Sequence, residues 1–256
     1  MLFTMRARLL ALVALLWVVG GCGVGHAVRT VGALRVHTFT RANTNVHVLQ
    51  QGAGLVMVDS GYARDAADLD AAMREAGIDP AALRVLVVTH GHADHAGGAL
   101  HFQQRYGTRV VVGRGDEAML ATGRNERLCP TGFIARRRLS TDQSGTYAPT
   151  RPDEVVDGAL PLAPATGVDA EVIALPGHTA GSLVVVAGEA VFVGDLFRGS
   201  IVGAGAAEHF YMCDLAANRA DILRLVRERA PQGRVFFTGH FGPVARDAVL
   251  ERFAAP

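Results

Sequence analysis

Lysine is absent from this sequence of 256 residues, and all 25 of its basic residues are arginine. A chain without lysine has no P-loop lysine for a nucleotide phosphate and cannot form a Schiff base with a substrate carbonyl. An excess of charge is also absent, because 24 acidic residues balance the arginines. This near-neutral balance argues against nucleic acid as the main partner, and we expect none.

Cysteine is scarce, with three residues in the whole chain: Cys22, Cys129 and Cys213. So few cysteines do not form the spacing pattern of a disulfide framework. We therefore interpret Cys129 and Cys213 as free thiols with a structural role. A bridge between them stays open as the alternative for a protein in an oxidising compartment.

The N-terminal stretch "MLFTMRARLLALVALLWVVGGCG" has the organisation of a signal peptide. Arginines precede an apolar run that is shorter than the roughly 20 residues of a membrane span, and small residues follow it. The ending "VGGC" resembles a bacterial lipobox, so residues 1–21 are predicted to be removed and Cys22 to carry a lipid. The alternative is an ordinary signal peptide that contains a cysteine. We expect residues 22–34 to be a short tether and residues 35–256 to form a single domain, exported to the periplasm or anchored to a bacterial membrane.

Apolar residues make up 50% of the chain, which is enough for a sizeable core. The run "LRVLVVTH" predicts a strand that is buried on both faces, and "GSLVVVAGEAVFVGD" predicts a hairpin. The segments "RDAADLDAAMREAG" and "DLAANRADILRLVRERA" have helical patterns. Residues 124–157 are polar and show no clear period, so we interpret them as a long loop with a little local structure. Strands and helices alternate along the chain, which predicts a layered α/β domain.

Three histidines and an aspartate follow one of these strands within the motif "THGHADHAGG". Alternate side chains of a strand point to the same face, so His90 and His92 can direct two imidazoles at one point. Asp94 and His95 can turn towards a second point nearby. Imidazole and carboxylate suit zinc, and also iron or manganese. A metal site therefore explains this cluster better than a solvated turn.

Four further positions repeat the pattern of an apolar run that ends at a residue able to bind metal. They are His178 in "ALPGHTAGS", Asp195 in "FVGDLF", His240 in "FFTGHFGP" and Asp59 in "VMVDSG". Each of them alone would be a turn, cap or core residue, but their joint occurrence favours one shared site.

From about residue 35 to the C-terminus, the order of these motifs resembles the metallo-β-lactamase-fold superfamily. The resemblance implies an α/β (α+β) fold, a four-layer αββα sandwich of two mixed sheets flanked by helices. It also implies that Asp195 bridges two metal ions and that Asp59 supports the site from outside the ligand set. The remaining ligands would be His90, His92 and His178 for the first ion, and Asp94, His95 and His240 for the second.

A bridging aspartate is typical of glyoxalase II-like thioesterases, lactonases and phosphodiesterases, whereas true metallo-β-lactamases usually carry cysteine or serine there. The resemblance therefore implies a dinuclear zinc hydrolase, with Fe or Mn as alternative metals, that attacks a small ester, thioester or lactone carbonyl with a metal-bridging hydroxide. Asp94 would be the catalytic carboxylate as well as a ligand. The alternatives are a β-lactamase-type or phosphodiester hydrolase, an iron-dependent oxidoreductase, and a non-catalytic metal-binding lipoprotein.

Substrate contacts are predicted at Arg198, whose guanidinium suits a carboxylate or phosphate, and at Tyr211. The arginines of "FIARRRLS" are interpreted as a solvated surface. The five histidines outside the motifs are interpreted as solvated or core residues, although His209 stands in a predicted active-site loop. They are His26, His37, His47, His101 and His209.

Overall fold

The computed structural model describes residues 23–254, so the predicted signal peptide and Cys22 lie outside the described residues. A seven-stranded sheet follows the order of the chain, from β1 at one edge to β7 at the other. Its first four strands pair antiparallel, and the pairs from β4 to β7 are parallel. The strands are β1 (Gly25–Val31), β2 (Leu34–Arg41), β3 (Thr44–Gln51), β4 (Gly54–Val58), β5 (Val85–Val87), β6 (Arg109–Gly113) and β7 (Glu154–Val156).

A second sheet contains six strands in the order β15-β14-β11-β10-β9-β8. Strands β11 and β14 are parallel, and the other neighbours are antiparallel. The hairpin predicted around Gly188 is present as β10 and β11. The strands are β8 (Ala159–Pro161), β9 (Glu171–Ala174), β10 (Leu183–Ala187), β11 (Ala190–Gly194), β14 (Val235–Thr238) and β15 (Val244–Ala245); β12 (Arg198–Gly199) and β13 (Ala206–Ala207) form a separate ribbon.

The alternation of side chains along the central strands gives each sheet two apolar faces. On β5, Val85 and Val87 belong to the core between the sheets, whereas Leu86 packs on the outer side. On β11, Phe192 points into the inner core and Val191 points outward. The continuous apolar runs of these strands are explained by this burial on both faces.

Helices cover the outer face of each sheet. Leu69 of α1 and Phe102 of α3 pack on the first sheet, and Ile222 of α7 and Phe253 of α8 pack on the second. The predicted four-layer αββα architecture is therefore confirmed. The helices are α1 (Ala66–Glu75), α2 (Ala93–Ala96), α3 (Ala99–Tyr106), α4 (Glu117–Thr122), α5 (Phe133–Gln143), α6 (Ala163–Thr166), α7 (Leu215–Arg224, continued by the π-helical turn Leu225–Arg229) and α8 (Arg246–Phe253).

The segment predicted as a tether, residues 22–34, contains β1 instead. This strand pairs with β2 over its whole length, from Gly25 opposite Thr40 to Val31 opposite Leu34. Most of its side chains are exposed, so the apolar alternation that marks an amphipathic strand is missing from its sequence. The sheet consequently begins ten residues before the expected domain start.

The segment predicted as a long loop, residues 124–157, contains α5 and β7. Only Ala135 is buried within α5, which explains why the helix shows no apolar period. The expectation of free thiols is also wrong, because Cys129 and Cys213 form a disulfide that joins this segment to the chain after β13. Separately, within residues 23–254 no helix is long and apolar enough to cross a membrane.

Candidate metal centre

The candidate metal centre lies where strands of both sheets end at one edge of the sandwich. His90 and His92 follow β5, and Asp94 and His95 lie on the short helix α2 that comes next. Asp195 follows β11. Because β5 and β11 are central strands of their sheets, the side chains that follow them meet at the end of the core between the two sheets. His178 follows β9, and His240 follows β14.

Three buried imidazoles form the first group of candidate ligands. The Nε2 atom of His178 lies 3.1 Å from Nδ1 of His92. The ring of His90 stands nearly perpendicular to both of these rings, with centroids 4.6 and 4.7 Å away. Two ligands bound to one ion at about 2.1 Å lie roughly 3–3.5 Å apart, so these nitrogens are spaced for a shared ion.

A carboxylate and two imidazoles form the second group. The Oδ2 atom of Asp94 lies 3.6 Å from Nε2 of His95 and 3.3 Å from Nε2 of His240. The side chains of Asp94 and His240 keep 20% and 11% of their surface exposed, whereas His95 is fully buried. This second group therefore forms the solvent side of the centre.

Asp195 stands between the two groups. Its Oδ2 atom lies 3.3 Å from Nε2 of both His95 and His240, and 3.7 Å from Nε2 of His90. The same oxygen is 3.8 Å from Nε2 of His178. One carboxylate oxygen is thus within reach of donors from both groups, which is the position that a bridging ligand requires. All seven sequence-predicted ligands are brought together.

Two buried carboxylates fix the loops that carry these ligands. Asp59 accepts hydrogen bonds from the backbone N–H and hydroxyl of Thr89, at 2.7 and 2.9 Å, and its Oδ2 lies 2.8 Å from Nδ1 of His95. Asp116 accepts from the N–H of Gly91 and of Gly181, both at 2.8 Å, and so joins the loop of His90 to the loop of His178. Asp59 was predicted from its motif. Asp116 was missed, because an aspartate before a helix reads in sequence as an ordinary cap.

A close backbone approach completes the centre at Gly239, between β14 and His240. A Cβ atom at this position would lie 2.3 Å from Oδ1 of Asp195 and 2.5 Å from Cε1 of His95. Only glycine allows these ligands and the backbone to pack at this distance.

Burial and charge divide the histidines into two classes. Burial lowers the pKa of His92 to about 4 and lowers the pKa of His90 and His178 well below the usual value, so these rings are neutral and offer lone pairs. Burial alone would also lower the pKa of His240, but the carboxylates of Asp195 and Asp94 outweigh it and raise that pKa to about 10. Without a metal, the carboxylates thus hold protons on neighbouring imidazoles.

The donor set fits divalent metal ions. Among the described residues, Nε2 of His90, Nε2 of His95 and Oδ1 of Asp195 are buried with no hydrogen-bond partner. Each buried polar atom without a partner costs about 1–3 kcal/mol. Within residues 23–254, four groups of three side chains have ligand atoms close enough to share one ion. One group consists of three histidines, and each of the other three contains two histidines and an aspartate. Cations at these positions would satisfy the unpartnered atoms, and imidazole with carboxylate is a donor set for zinc, iron or manganese.

We expect Asp59→Asn to weaken metal binding by about 10- to 100-fold, because an amide cannot hold the imidazole of His95 as a carboxylate does. The backbone of Asp59 has φ +62°, a conformation that asparagine tolerates well, so the fold should persist. Competition with a chromophoric chelator measures the affinity. Asp157→Asn is the matched control, since Asp157 pairs with Arg114 on the surface. Equal affinities in the two variants would contradict the supporting role of Asp59.

The two predicted substrate contacts have different surroundings. The guanidinium of Arg198 stacks on the ring of Phe210 at 4.2 Å, its Nη1 donates to the carbonyl of Gly199 at 2.9 Å, and its Nε is buried with no hydrogen-bond partner among residues 23–254. The hydroxyl of Tyr211 donates to Asp142 at 2.6 Å and contacts the carbonyl of Ala135, so it is used to hold α5. Arg198 stays a predicted substrate contact, and the geometry of Tyr211 favours core packing.

His209 is a second residue of the centre that the sequence does not reveal. The sequence indicates a solvated or core histidine, yet its Nε2 atom lies 3.0 Å from Oδ2 of Asp195, and its ring stands perpendicular to that of His178 with centroids 4.7 Å apart. No strand motif precedes it. Its neighbour Cys213, paired with Cys129, was the available signal that this loop is fixed against the rest of the domain.

Comparison with known proteins gives consistent matches. The family model described as the metallo-beta-lactamase superfamily matches residues 39–245. The hydroxyacylglutathione hydrolase GloC of Haemophilus influenzae is 30% identical over 122 residues, which cover 46% of this chain and 52% of that protein. The matched part of the chain thus spans about half the length of this relative.

Two solved structures are similar to this chain in fold. A metallo-beta-lactamase from Cronobacter sakazakii is 20% identical with a TM-score of 0.58, covering 80% of this chain and 74% of that one. The Rm3 metallo-beta-lactamase is 20% identical with a TM-score of 0.59, covering 86% of this chain and 88% of that one. The match to the family model confirms the resemblance inferred from the motifs, and the chain belongs to the metallo-beta-lactamase superfamily.

Proposed function

We propose that this protein is an exported dinuclear zinc hydrolase that acts on a small ester, thioester or lactone. The observation that carries the proposal is the position of Asp195, whose Oδ2 atom faces Nε2 of His90 on one side and of His95 and His240 on the other. A carboxylate in this place can hold two ions close to each other. Most members of this superfamily are metal-dependent hydrolases, and the donor set supports the same class of chemistry here.

His90, His92 and His178 would hold the first ion, and Asp94, His95 and His240 the second. Two such ions supply a nucleophile from water at neutral pH and polarise the carbonyl under attack. Fe and Mn fit the same donors.

The chain's own residues would bind the substrate and move protons. Asp94 is partly exposed, and its Oδ2 atom accepts a weak hydrogen bond from the hydroxyl of Thr44 at 3.5 Å. With Oδ2 on the second ion, the other carboxylate oxygen of Asp94 would exchange a proton with a substrate on the solvent side. The buried rings of His90 and His178 exclude water from the inner side. Arg198, a cation without an ionic partner in the described part of the chain, would bind a carboxylate or phosphate group of the substrate.

Two observations favour an ester, thioester or lactone over a β-lactam. The residue after β11 is aspartate, whereas β-lactamases usually carry cysteine or serine there. The relative with 30% identity is named a hydroxyacylglutathione hydrolase. Without lysine, this chain cannot use the lysine-containing glutathione-binding pattern of glyoxalase II. We therefore propose the class of bond that is cleaved, an ester, thioester or lactone, and do not require that the substrate contain glutathione.

Export is supported by the disulfide between Cys129 and Cys213, because disulfides persist in oxidising compartments and are rare in the cytosol. We propose further that Cys22 carries a lipid and anchors the domain to a bacterial membrane. Labelling with a radioactive or alkyne fatty acid in the expressing cell tests this step. Loss of the label in Cys22→Ser is the expected result, and a label that persists in this variant contradicts the proposal.

Hydrolysis by the zinc-loaded protein tests the function. We expect the protein to hydrolyse at least one member of a panel of lactones, thioesters and esters. A chelator that removes the metal should abolish this activity, and added zinc should restore it. Phosphodiesters and β-lactams in the same panel test the neighbouring activities of the fold. Activity that survives in metal-free protein contradicts the proposal, as does a preparation that binds no metal.

A further inference from the structure

We propose that His209 is an additional metal ligand, which binds the first ion together with His178 and Asp195. This inference rests on the proposed metal centre and extends it by a donor outside the seven that the motifs supply. Within residues 23–254, His178, Asp195 and His209 form one of the groups whose ligand atoms lie close enough to share an ion.

The position of the imidazole is that of a ligand. His209 is buried, with 3% of its surface exposed, and its Nε2 atom lies 3.0 Å from Oδ2 of Asp195. That separation matches two ligands on one ion, for which metal–ligand distances of about 2.0–2.2 Å give roughly 3–3.5 Å between donors. Its ring stands perpendicular to His178 and stacks on His240. It therefore lies next to Asp195, in contact with a ring of each group.

The hydrogen bonds of His209 follow the pattern of two predicted ligands. In His95 the Nδ1 atom faces the carboxylate of Asp59 at 2.8 Å, and in His240 it faces the carbonyl of Asn43, also at 2.8 Å. In His209 the Nδ1 atom faces the carbonyl of Tyr211 at 3.1 Å. In all three rings, the Nε2 atom points at Oδ2 of Asp195. A metal-bound imidazole typically donates its other N–H to a carboxylate or a backbone carbonyl in this way.

The alternative is a direct hydrogen bond in which Nε2–H of His209 donates to Asp195. It requires the opposite tautomer, with Nδ1 accepting from the N–H of Tyr211 at the longer distance of 3.3 Å. The Nε2 atom of His209 is buried and makes no hydrogen bond to any described residue. A lone pair on this atom that points at an ion accounts for both the shorter Nδ1 contact and the missing partner.

A separate part of the chain fixes His209 in this position. The hydroxyl of Thr131 donates to the carbonyl of His209 at 2.8 Å, and the N–H of Thr131 donates to the carbonyl of Phe210 at 2.9 Å. The disulfide from Cys129 to Cys213 closes the same contact between the two segments. The loop therefore presents the imidazole with little freedom, as a ligand position requires.

An additional donor has a consequence for the substrate. With His209 among the ligands, four imidazoles and Asp195 would be available to the first ion. Asp94 and His240, which are partly exposed, would then leave the second ion as the one that solvent and substrate can reach. The substrate carbonyl is expected to bind on that side.

His209→Gln is the sharpest test, because a glutamine amide can still donate a hydrogen bond to Asp195 but is a poor metal ligand. The probe is Co²⁺, added to metal-free protein and followed by its visible absorption, whose bands report the number and kind of ligands. We expect one of the two ions to bind at least about tenfold more weakly in the variant, with changed bands. His101→Gln is the matched control, because His101 hydrogen-bonds to Asp70 outside the centre.

The outcomes separate the two proposals. Wild-type affinity and an unchanged Co²⁺ spectrum in His209→Gln overturn the ligand role of His209 and leave the proposed hydrolase intact. A wild-type protein that binds no Co²⁺ overturns both. Weaker binding with unchanged bands identifies His209 as a hydrogen-bond donor to Asp195 and also overturns the inference. Far-UV circular dichroism establishes that each variant is folded.

Discussion

Asp195→Asn is expected to lower kcat/KM for the best substrate by about 10³-fold or more. The substitution removes the negative charge that lies between the two groups of ligands, while the side chain keeps its size. Metal ions supply several kcal/mol of charge stabilisation in the transition state, and about 1.4 kcal/mol corresponds to a factor of ten in rate. An amide oxygen at this position bridges two cations poorly, so one of the ions should be lost.

Metal content by plasma mass spectrometry, together with steady-state kinetics, measures the effect. We expect two ions per chain in the wild type and one or fewer in Asp195→Asn. Asp157→Asn serves again as the control, since it removes a carboxylate from a surface ion pair with Arg114. Two ions and near wild-type turnover in Asp195→Asn would show that the central carboxylate is not a bridge.

The double substitution Cys129→Ser with Cys213→Ser is expected to lower the free energy of unfolding by roughly 4–5 kcal/mol. The disulfide links two residues 84 positions apart, and a cross-link over this length removes about 4–5 kcal/mol of conformational entropy from the unfolded chain. Domains of this size are typically stable by only about 5–15 kcal/mol, so the loss is a large fraction of the total.

Urea unfolding followed by circular dichroism measures this change. A reducing agent should lower the stability of the wild type to that of the double variant and leave the variant itself unchanged. If the double variant unfolds at the same urea concentration as the oxidised wild type, the disulfide does not constrain the unfolded chain as expected.

The ligands that motifs carry could be predicted because each of them follows an apolar strand. His90, His178 and Asp195 stand at the ends of buried runs, and the ends of neighbouring strands meet at one edge of a sheet. The layered architecture follows from the same runs, since a strand that is apolar on both faces needs cover on both sides. For these residues, an apolar run in the sequence predicts a buried strand, and the end of that strand predicts where the side chain lies in the fold.

The remaining features depend on contacts that leave no local pattern. His209 reaches Asp195 because the chain near Thr131 holds its backbone, and Asp116 acts through the N–H groups of two distant loops. Strand β1 and helix α5 were not predicted because they lie on the surface, with few buried side chains and therefore no apolar period. The pairing of Cys129 with Cys213 likewise depends on distances that spacing in the sequence does not encode.

The position of strand β1 relates the proposed lipid anchor to the candidate metal centre. Gly25 pairs with Thr40 at the end of the sheet where Thr44 pairs with His240, so the chain enters the domain at the edge that carries the candidate centre. Under the proposal that Cys22 is acylated, Gly25 would lie within about 11 Å of the attachment point, because each residue spans at most about 3.6 Å. With so short a connection, the edge of the sandwich that carries the candidate metal centre would lie close to the bilayer. Amphiphilic esters or lactones that partition into the headgroup region would then be favoured as substrates.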